Sequence, residues 1–214
     1  MDAADASFIA DAAQPDAEPP DAETTLVFLA PAGGEIWGGT RLIRWRSSAA
    51  DPGALELRLS RDDGARFDEL IAPNASQTFS SFEWDTTRFE DAERCVIRGL
   101  PFTPLGSAGE PAFSGAFALD NTPPELSLLA PLEGVVTGTT AIAWTTRDAH
   151  PESVRITLLG DREELLAEVS DEGRYVWDTR TATAGAAYRL RLVPTDGAGN
   201  AGANAESAEL VVER

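Results

Sequence analysis

The sequence has no lysine, one cysteine and one histidine, and each shortage excludes a kind of site. Cys95 has no second cysteine for an intrachain disulfide, and His150 belongs to no Cys/His cluster that would hold zinc or iron–sulfur. No nucleophile, base and orienting acid can be matched into a relay from these two residues. We therefore predict that the protein is not an enzyme. We expect Cys95, in phase with Ile97, to be buried and inert, and His150 to be a surface loop residue.

Long apolar runs and positive charge are also scarce. No stretch of about 18 apolar residues is present, the length that a membrane-spanning helix needs. The 36 acidic residues outnumber the 17 arginines, which gives a formal net charge of −19. Such a field repels phosphate backbones and anionic lipid, so nucleic acid and membrane surfaces are disfavoured as partners. The partner we expect is a protein or a cell-surface polymer, and the composition leaves the oligomeric state open.

Residues 1–24 consist mainly of Ala, Asp, Pro and Glu, with Phe8 and Ile9 as the large apolar side chains. This composition buries too little surface to offset the entropy of ordering, so we predict a disordered segment. It resembles the Ala/Asp/Pro tethers that follow the lipidated cysteine of exported bacterial lipoproteins, although that cysteine is missing here; an ordinary solvated tail is the alternative. The resemblance implies an exported protein of the cell envelope or extracellular space, with a signal segment removed ahead of Met1. A cytoplasmic start at Met1 is the alternative.

What the sequence has is an internal repeat. The signature Leu-x-x-Leu-Ala-Pro, then Gly, Gly-Thr and Ile-x-Trp, occurs twice at an offset of 100 that becomes 99, and Trp-Asp-Thr recurs at an offset of 93. The first copy contains Leu26, Leu29, Ala30, Pro31, Gly34, Gly39, Thr40, Ile43, Trp45 and Trp84, and the second Leu126, Leu129, Ala130, Pro131, Gly134, Gly138, Thr139, Ile142, Trp144 and Trp177. The repeat predicts domains at 25–121 and 122–214, joined by a stiff Pro123-Pro124 hinge.

Both copies alternate apolar and polar residues with the period of half-buried strands. Turn signals such as Asp51-Pro52-Gly53 and Asp63-Gly64 separate the strands, and no helical period of useful length occurs. We predict an all-β protein with two tandem immunoglobulin-like sandwiches of about seven strands each. The inward residues of this pattern are Ile43, Trp45, Leu55, Leu57 and Leu59, then Ile142, Trp144, Val154, Ile156, Leu158, Tyr188, Leu190, Leu192, Leu210 and Val212.

These motifs, with Tyr-Arg-Leu-Arg-Leu and Asp-Gly-Ala-Gly-Asn in the second copy, resemble the Ig-like or fibronectin type III-like repeats of bacterial surface and secreted proteins. The resemblance implies that Trp45 and Trp144 are core tryptophans and that Tyr188 is a corner tyrosine. Cys95 takes that position in the first copy, whose last loop lacks Asp-Gly-x-Gly-Asn.

The segment from Ser60 to Phe67 resembles the Asp-box hairpin Ser-x-Asp-x-Gly-x-x-Phe/Trp. Its mechanics are local: Asp62 accepts turn amides, Gly64 supplies a positive φ and Phe67 anchors the hairpin. The Asp-box is found in sialidase-like propellers as well as in this kind of Ig-like repeat. The motif itself contains no catalytic group, so it does not indicate sialidase activity.

A cluster of acids and amides is expected where one pole of the second sandwich meets the first. Oxygen ligands from separate segments are what Ca²⁺ uses, and the layout resembles a cadherin-like junction. The alternative is that these residues only cap turns. The predicted calcium ligands are Asp120, Asn121, Asp148, Asp196 and Asn200.

The function that the sequence favours is a non-catalytic exported binding or adhesion module, tethered to the cell envelope. A structural stalk or accessory subunit of a larger envelope assembly is the alternative, because each sandwich exposes edge strands to a partner.

Overall fold

The structure, a computed structural model, describes residues 25–48 and 53–214. The predicted tether, residues 1–24, lies outside the described residues, as do Asp51 and Pro52 of a predicted turn. The described chain is all-β and contains no α-helix, as the sequence predicts. Its only helical elements are three short 3₁₀ turns, at Gln77–Phe79, Thr86–Arg88 and Thr179–Thr181.

The first nine strands form one sandwich. One sheet has the order β1-β3-β6, and the facing sheet has the order β2-β9-β7-β4-β5 with β8 paired to β7. The strands are β1 (Leu26–Ala30), β2 (Ile36–Trp37), β3 (Thr40–Ser47), β4 (Ala54–Ser60), β5 (Glu69–Ser76), β6 (Ser81–Asp85), β7 (Ala92–Pro101), β8 (Ala112–Phe113) and β9 (Phe117–Leu119).

The next nine strands repeat the plan. The sheets have the orders β10-β12-β15 and β11-β18-β16-β13-β14, with β17 paired to β16. The strands are β10 (Glu125–Ala130), β11 (Gly134–Thr137), β12 (Thr139–Arg147), β13 (Pro151–Leu159), β14 (Glu163–Ser170), β15 (Arg174–Asp178), β16 (Ala187–Asp196), β17 (Ala205–Glu206) and β18 (Leu210–Glu213).

Each sandwich has nine strands where about seven are expected, because the first and last strands are broken. In the first sandwich the chain leaves the three-stranded sheet after β1 and joins the other sheet as β2, which pairs in parallel with β9. The last strand is interrupted between β8 and β9. At this break the hydroxyl oxygen of Ser114 accepts a hydrogen bond from the amide of Ile97 at 2.9 Å. The second sandwich breaks in the same way, and β11 pairs in parallel with β18.

The predicted inward positions form two separate cores. Trp45 is 1% exposed and Trp144 is 2% exposed, so both predicted core tryptophans are confirmed. Tyr188 packs on the edge of the second core, and its hydroxyl accepts a hydrogen bond from the amide of Thr183 at 3.1 Å, the geometry of a corner tyrosine. Among the predicted inward positions, the aliphatic side chains that are at most 1% exposed are Ile43, Leu55, Leu57, Leu59, Ile142, Val154, Ile156, Leu190, Leu192, Leu210 and Val212.

The repeated Trp-Asp-Thr motif joins the core to a capped turn. In the first copy Trp84 is buried and the Asp85 carboxylate accepts the amide of Thr87 at 3.1 Å. Thr86, also buried, donates its hydroxyl to the carbonyl of Gly39 at 2.8 Å. Asp178 and Thr179 make the equivalent contacts in the second copy, so the motif ties the end of one strand to the start of its neighbour.

Candidate functional site at the domain junction

Three buried or half-buried aspartates meet between the sandwiches, each from a different segment. Asp120 follows β9, Asp148 follows β12 and Asp196 ends β16. One carboxylate oxygen from each lies within 4.8 Å of the others. The convergence arises because loops at one pole of a sandwich are adjacent in space although they are distant in sequence.

The Asp-Gly-Ala-Gly-Asn loop closes on its own first residue. Asp196 is fully buried, and its Oδ1 accepts the amides of Ala198 at 2.9 Å and Asn200 at 2.8 Å. The side-chain amide of Asn200 donates to Asp196 Oδ2 at 2.8 Å and to the carbonyl of Asp120 at 3.0 Å. Asp196 therefore caps this turn, as the alternative interpretation predicts. It also belongs to the carboxylate cluster.

Asn121 is the one predicted ligand that points away from the cluster. Its Oδ1 accepts the amide of Gly39 at 3.0 Å and the hydroxyl of Thr86 at 2.8 Å. Its backbone amide donates to Asp91 at 2.7 Å. Asn121 therefore holds the first sandwich together and does not join the three aspartates.

His150 lies inside the junction, where the sequence led us to expect a surface residue. Its side chain is 17% exposed, and Nδ1 lies 2.7 Å from Asp120 Oδ2 while Nε2 lies 3.2 Å from Glu93 Oε2. The hydrogen bond to Asp120 raises the pKa of His150 although burial opposes the charged form. The position of His150 two residues after Asp148 is a sequence signal that would have placed it at this pole.

Burial and neighbouring negative charge both act on Asp148. Burial raises the pKa of its carboxyl, and the negative charges of Asp120 and Asp196 raise it further, against the amide of His150 that donates to it at 2.7 Å. The cluster thus concentrates negative charge beside one imidazole.

Close packing completes the junction. Arg41 of β3 donates a hydrogen bond from Nη2 to the carbonyl of Ala198, which is 5% exposed. A Cβ on Gly197 would lie 2.8 Å from Ile36 Cδ1, and one on Gly38 would lie 3.1 Å from Ala198 Cβ. The loop from Asp196 to Asn200 therefore sits against the first sandwich, with little room for a side chain at Gly197 or at Gly38. Arg41 and these glycines were not among the predicted site residues.

A cleft of about 680 Å³ opens beside the cluster. Its walls carry Asp91, Glu93 and Glu125 in addition to the two aspartates Asp120 and Asp148. Arg147 and His150 are its basic lining residues. The opening is acidic, in keeping with the net charge of the chain.

Cys95 lies in the core of the first sandwich and offers no reactive thiol. It is fully buried, and burial raises its pKa to about 12. The described part of the chain also has no helix with the length and apolar character needed to cross a bilayer.

Comparison with solved structures shows the fold. Domains A168–A170 of titin give a TM-score of 0.53 at 11% identity, over 89% of this chain and 68% of that one. The chicken CNTN1 FN1–FN3 domains give a TM-score of 0.46 at 11% identity, over 85% of this chain and 66% of that one. A tetra-tandem repeat in the extending region of a large adhesion protein gives a TM-score of 0.33 at 13% identity, over 88% of this chain and 49% of that one.

The chain therefore spans about two thirds of the titin and CNTN1 segments and about half of the adhesion-protein segment. No protein-family model matches the sequence, and no curated protein matches it. The chain consists of tandem Ig-like or fibronectin type III-like sandwiches, which confirms the predicted fold class.

Proposed function

We propose that this chain is a non-catalytic binding or adhesion module in which a docked junction holds two sandwiches, 25–121 and 122–214, at one orientation. The observation that carries the proposal is the seating of the Asp196–Asn200 loop on the first sandwich. That loop uses Arg41, Ile36 and the carbonyl of Asp120, while His150 bridges Asp120 and Glu93. Because these contacts come from several segments, they resist both bending and rotation of one sandwich relative to the other. A single linker would resist neither.

A module that displays a binding surface at a defined angle needs no catalytic group. The stalk alternative uses the same rigidity for spacing alone, and the two differ in whether a face of the module binds a partner.

The rigidity of the junction is measured by rotational correlation times from NMR relaxation of the full chain. Docked domains should tumble together with one correlation time. Gly197→Leu should wedge the loop away from Ile36 and give each sandwich its own shorter time, with both still folded. Ala201→Leu, an exposed position directly after the loop, is the matched control and should leave the single correlation time unchanged. Two independent times in the unsubstituted chain would reject the docked module.

We also propose that the junction takes calcium, as the sequence suggests. Two oxygens bound to one Ca²⁺ at about 2.4 Å lie up to about 4.8 Å apart, and the three aspartate oxygens lie within 4.8 Å of one another. Asp120, Asp148 and Asp196 supply carboxylates and Asn200 an amide, so waters would complete the usual ~6 to 8 ligands. The ion would relieve the repulsion from Asp120 and Asp196, which adds to the effect of burial in raising the pKa of Asp148.

Thermal unfolding with millimolar Ca²⁺ against chelator at matched ionic strength tests the calcium site. Binding to the folded state should raise the melting temperature by mass action. Asp148→Asn keeps an oxygen for the His150 amide but removes one charge, so it should abolish the calcium shift while stabilising the chelated protein. Equal melting temperatures in both conditions would leave turn capping as the role of these residues.

We propose, finally, that the module is exported and held at the cell envelope through residues 1–24, whose composition resembles lipoprotein tethers. Protease treatment of intact cells expressing the native gene should remove the protein. Complete protection, with digestion only after lysis, would exclude exposure at the outer cell surface.

A further inference from the structure

The outer face of the three-stranded sheet in the first sandwich combines exposed aliphatic and cationic side chains. Val27 and Leu29 on β1 are 45% and 46% exposed, and Leu42 on β3 is 48% exposed. Arg44 and Arg46 follow Leu42 on the same side of β3 and are also exposed. We call these five residues the cationic face.

The two arginines of this face have no ionic partner among the described residues. Val27 lies opposite Arg46, and Ser81 lies opposite Arg44, so neither arginine has an acid across the strand pair. The other described arginines of this sandwich are engaged: Arg41 with the Ala198 carbonyl, and Arg58, Arg61, Arg66, Arg88, Arg94 and Arg98 in ion pairs. Arg44 and Arg46 are therefore the unpaired cations among the described residues of the first sandwich, in a chain with 36 acidic residues.

The second sandwich does not have this pair. By the repeat offset, Ala141, Ala143 and Thr145 of β12 stand where the first sandwich has Leu42, Arg44 and Arg46. Its sheet carries exposed Val176 and Arg174 on the third strand instead. Since the strands and register are otherwise repeated, folding does not require the arginine pair, and a binding role accounts for it.

We propose that the cationic face docks an extended acidic peptide segment of a partner protein, with an aliphatic side chain followed by two acids at alternate positions. Leu42, Arg44 and Arg46 lie in that order on one strand face, about 7 Å apart. An extended peptide laid along β3 presents alternate side chains at the same spacing. The aliphatic group covers Leu42, and each carboxylate meets one guanidinium.

Charge complementarity selects this partner over a larger polyanion. The binding charge is confined to two side chains, and Glu83 lies opposite Leu42 at one end of the face. The net charge of −19 repels long polyanions, whereas a short peptide contacts the local charge within about a Debye length of ~8 Å. The inference rests on the proposed binding function, and its readout is separate from that of the junction.

The test uses the full chain, labelled with ¹⁵N, and the synthetic peptide Thr-Val-Ser-Glu-Ser-Glu-Thr. Amide shifts should move on β1 and β3 during titration, and replacing both peptide glutamates with glutamine should remove the effect. The double variant Arg44→Ala/Arg46→Thr takes the residues of the second sandwich and should weaken binding about tenfold, as two exposed ion pairs allow. Arg174→Ala is the matched control and should bind normally.

Exchanging the charges of the face and the peptide distinguishes lost binding from a folding defect. Arg44→Glu/Arg46→Glu should lose the acidic peptide and gain a version with arginine in place of its glutamates. Unchanged affinity of the double alanine/threonine variant, or equal binding of the glutamine peptide, overturns the proposal. It is also overturned if the face instead contacts residues 1–24 of its own chain, a second copy, or phosphatidylserine vesicles in an arginine-dependent manner. A single correlation time without peptide binding would reject the face while leaving the docked module intact.

Discussion

The two sandwiches share strands, register and core tryptophans, yet fill the same space with different chemistry. In the first, Trp37 lies 5.3 Å from Phe117 and 6.3 Å from Trp84, and Trp84 contacts Phe89 at 5.2 Å between ring centroids. In the second, Ala182 stands where the first has Phe89, and Trp177 packs in a core of mainly aliphatic residues. The repeat thus preserves the inward positions and lets the side-chain volumes be redistributed among them.

The central tryptophans differ in a second way. The indole N–H of Trp144 donates to Asp171 Oδ1 at 2.6 Å, whereas the buried indole nitrogen of Trp45 has no partner among the described residues. One position therefore contributes packing alone and the other contributes packing and a charge-assisted hydrogen bond.

Emptying either tryptophan site should have the largest effect. Trp45→Ala or Trp144→Ala should destabilise its own sandwich by about 3 to 5 kcal/mol, the scale for removing a large buried side chain. Denaturant unfolding followed by circular dichroism measures this. A loss below about 1 kcal/mol at either site would contradict its place in the core.

Phenylalanine at the same two positions isolates the hydrogen bond. Trp144→Phe should cost about 1 kcal/mol more than Trp45→Phe, because it leaves the Asp171 carboxylate without its donor. The comparison uses the same substitution in both domains and the same unfolding assay. Equal losses would mean that the Asp171 contact adds nothing to stability.

The hairpins give a smaller, pH-dependent difference. The hydrogen bond from the Arg66 side chain, and to a lesser extent that from Ser60, lowers the pKa of Asp62 from its ordinary 3.8 to about 2. A lowered folded-state pKa contributes stability above pH 3.8 that is lost as the pH falls towards 2. The melting temperatures of the unsubstituted chain and Asp62→Asn should therefore converge across this window.

Asp161→Asn is the control for the substitution, because Asp161 lies in the corresponding hairpin of the second sandwich and makes no hydrogen bond or ion pair with described residues. Since no partner is lost, its melting temperature at neutral pH should equal that of the unsubstituted chain. A constant offset for Asp62→Asn down to pH 2 would contradict the ionised, hydrogen-bonded carboxylate.

Cys95 should show no effect at all in the native protein. Burial raises its pKa to about 12, and the thiolate that reacts is therefore almost absent near neutral pH. A disulfide reagent should label one thiol per chain in denaturant and none in buffer. Stoichiometric labelling of the folded chain would show that the thiol is accessible.

The fold could be predicted because periodicity and repetition are properties of the sequence alone. Alternation placed Leu55, Leu57 and Leu59 inside, and the Asp-box pattern predicted the hairpin in detail: Asp62 accepts the Arg66 amide at 2.9 Å and Gly64 has φ 85°. The convergence of Asp120, Asp148 and Asp196 also followed from the topology of a sandwich pole.

The rest of the junction could not be predicted, because the spacing of residues in the sequence does not show where their side chains point. Adjacent residues of an extended chain point to opposite sides, so Asp120 faces the cluster while Asn121 faces its own sandwich. Arg41 and His150 gain their roles only when one domain is placed against the other. That placement depends on contacts between residues 30 or more positions apart, such as His150 with Asp120 and Arg41 with Ala198.

The parallel pairing of terminal strands has a mechanical consequence. A pull on the two ends of a sandwich draws β2 against β9, or β11 against β18, in opposite directions, so the hydrogen bonds between them are loaded in shear and must break together. The first sandwich pairs two residues of each strand and the second pairs four. Under tension applied through the chain ends, we expect the first sandwich to yield at the lower force, which optical-trap extension of single molecules would resolve as two ordered steps.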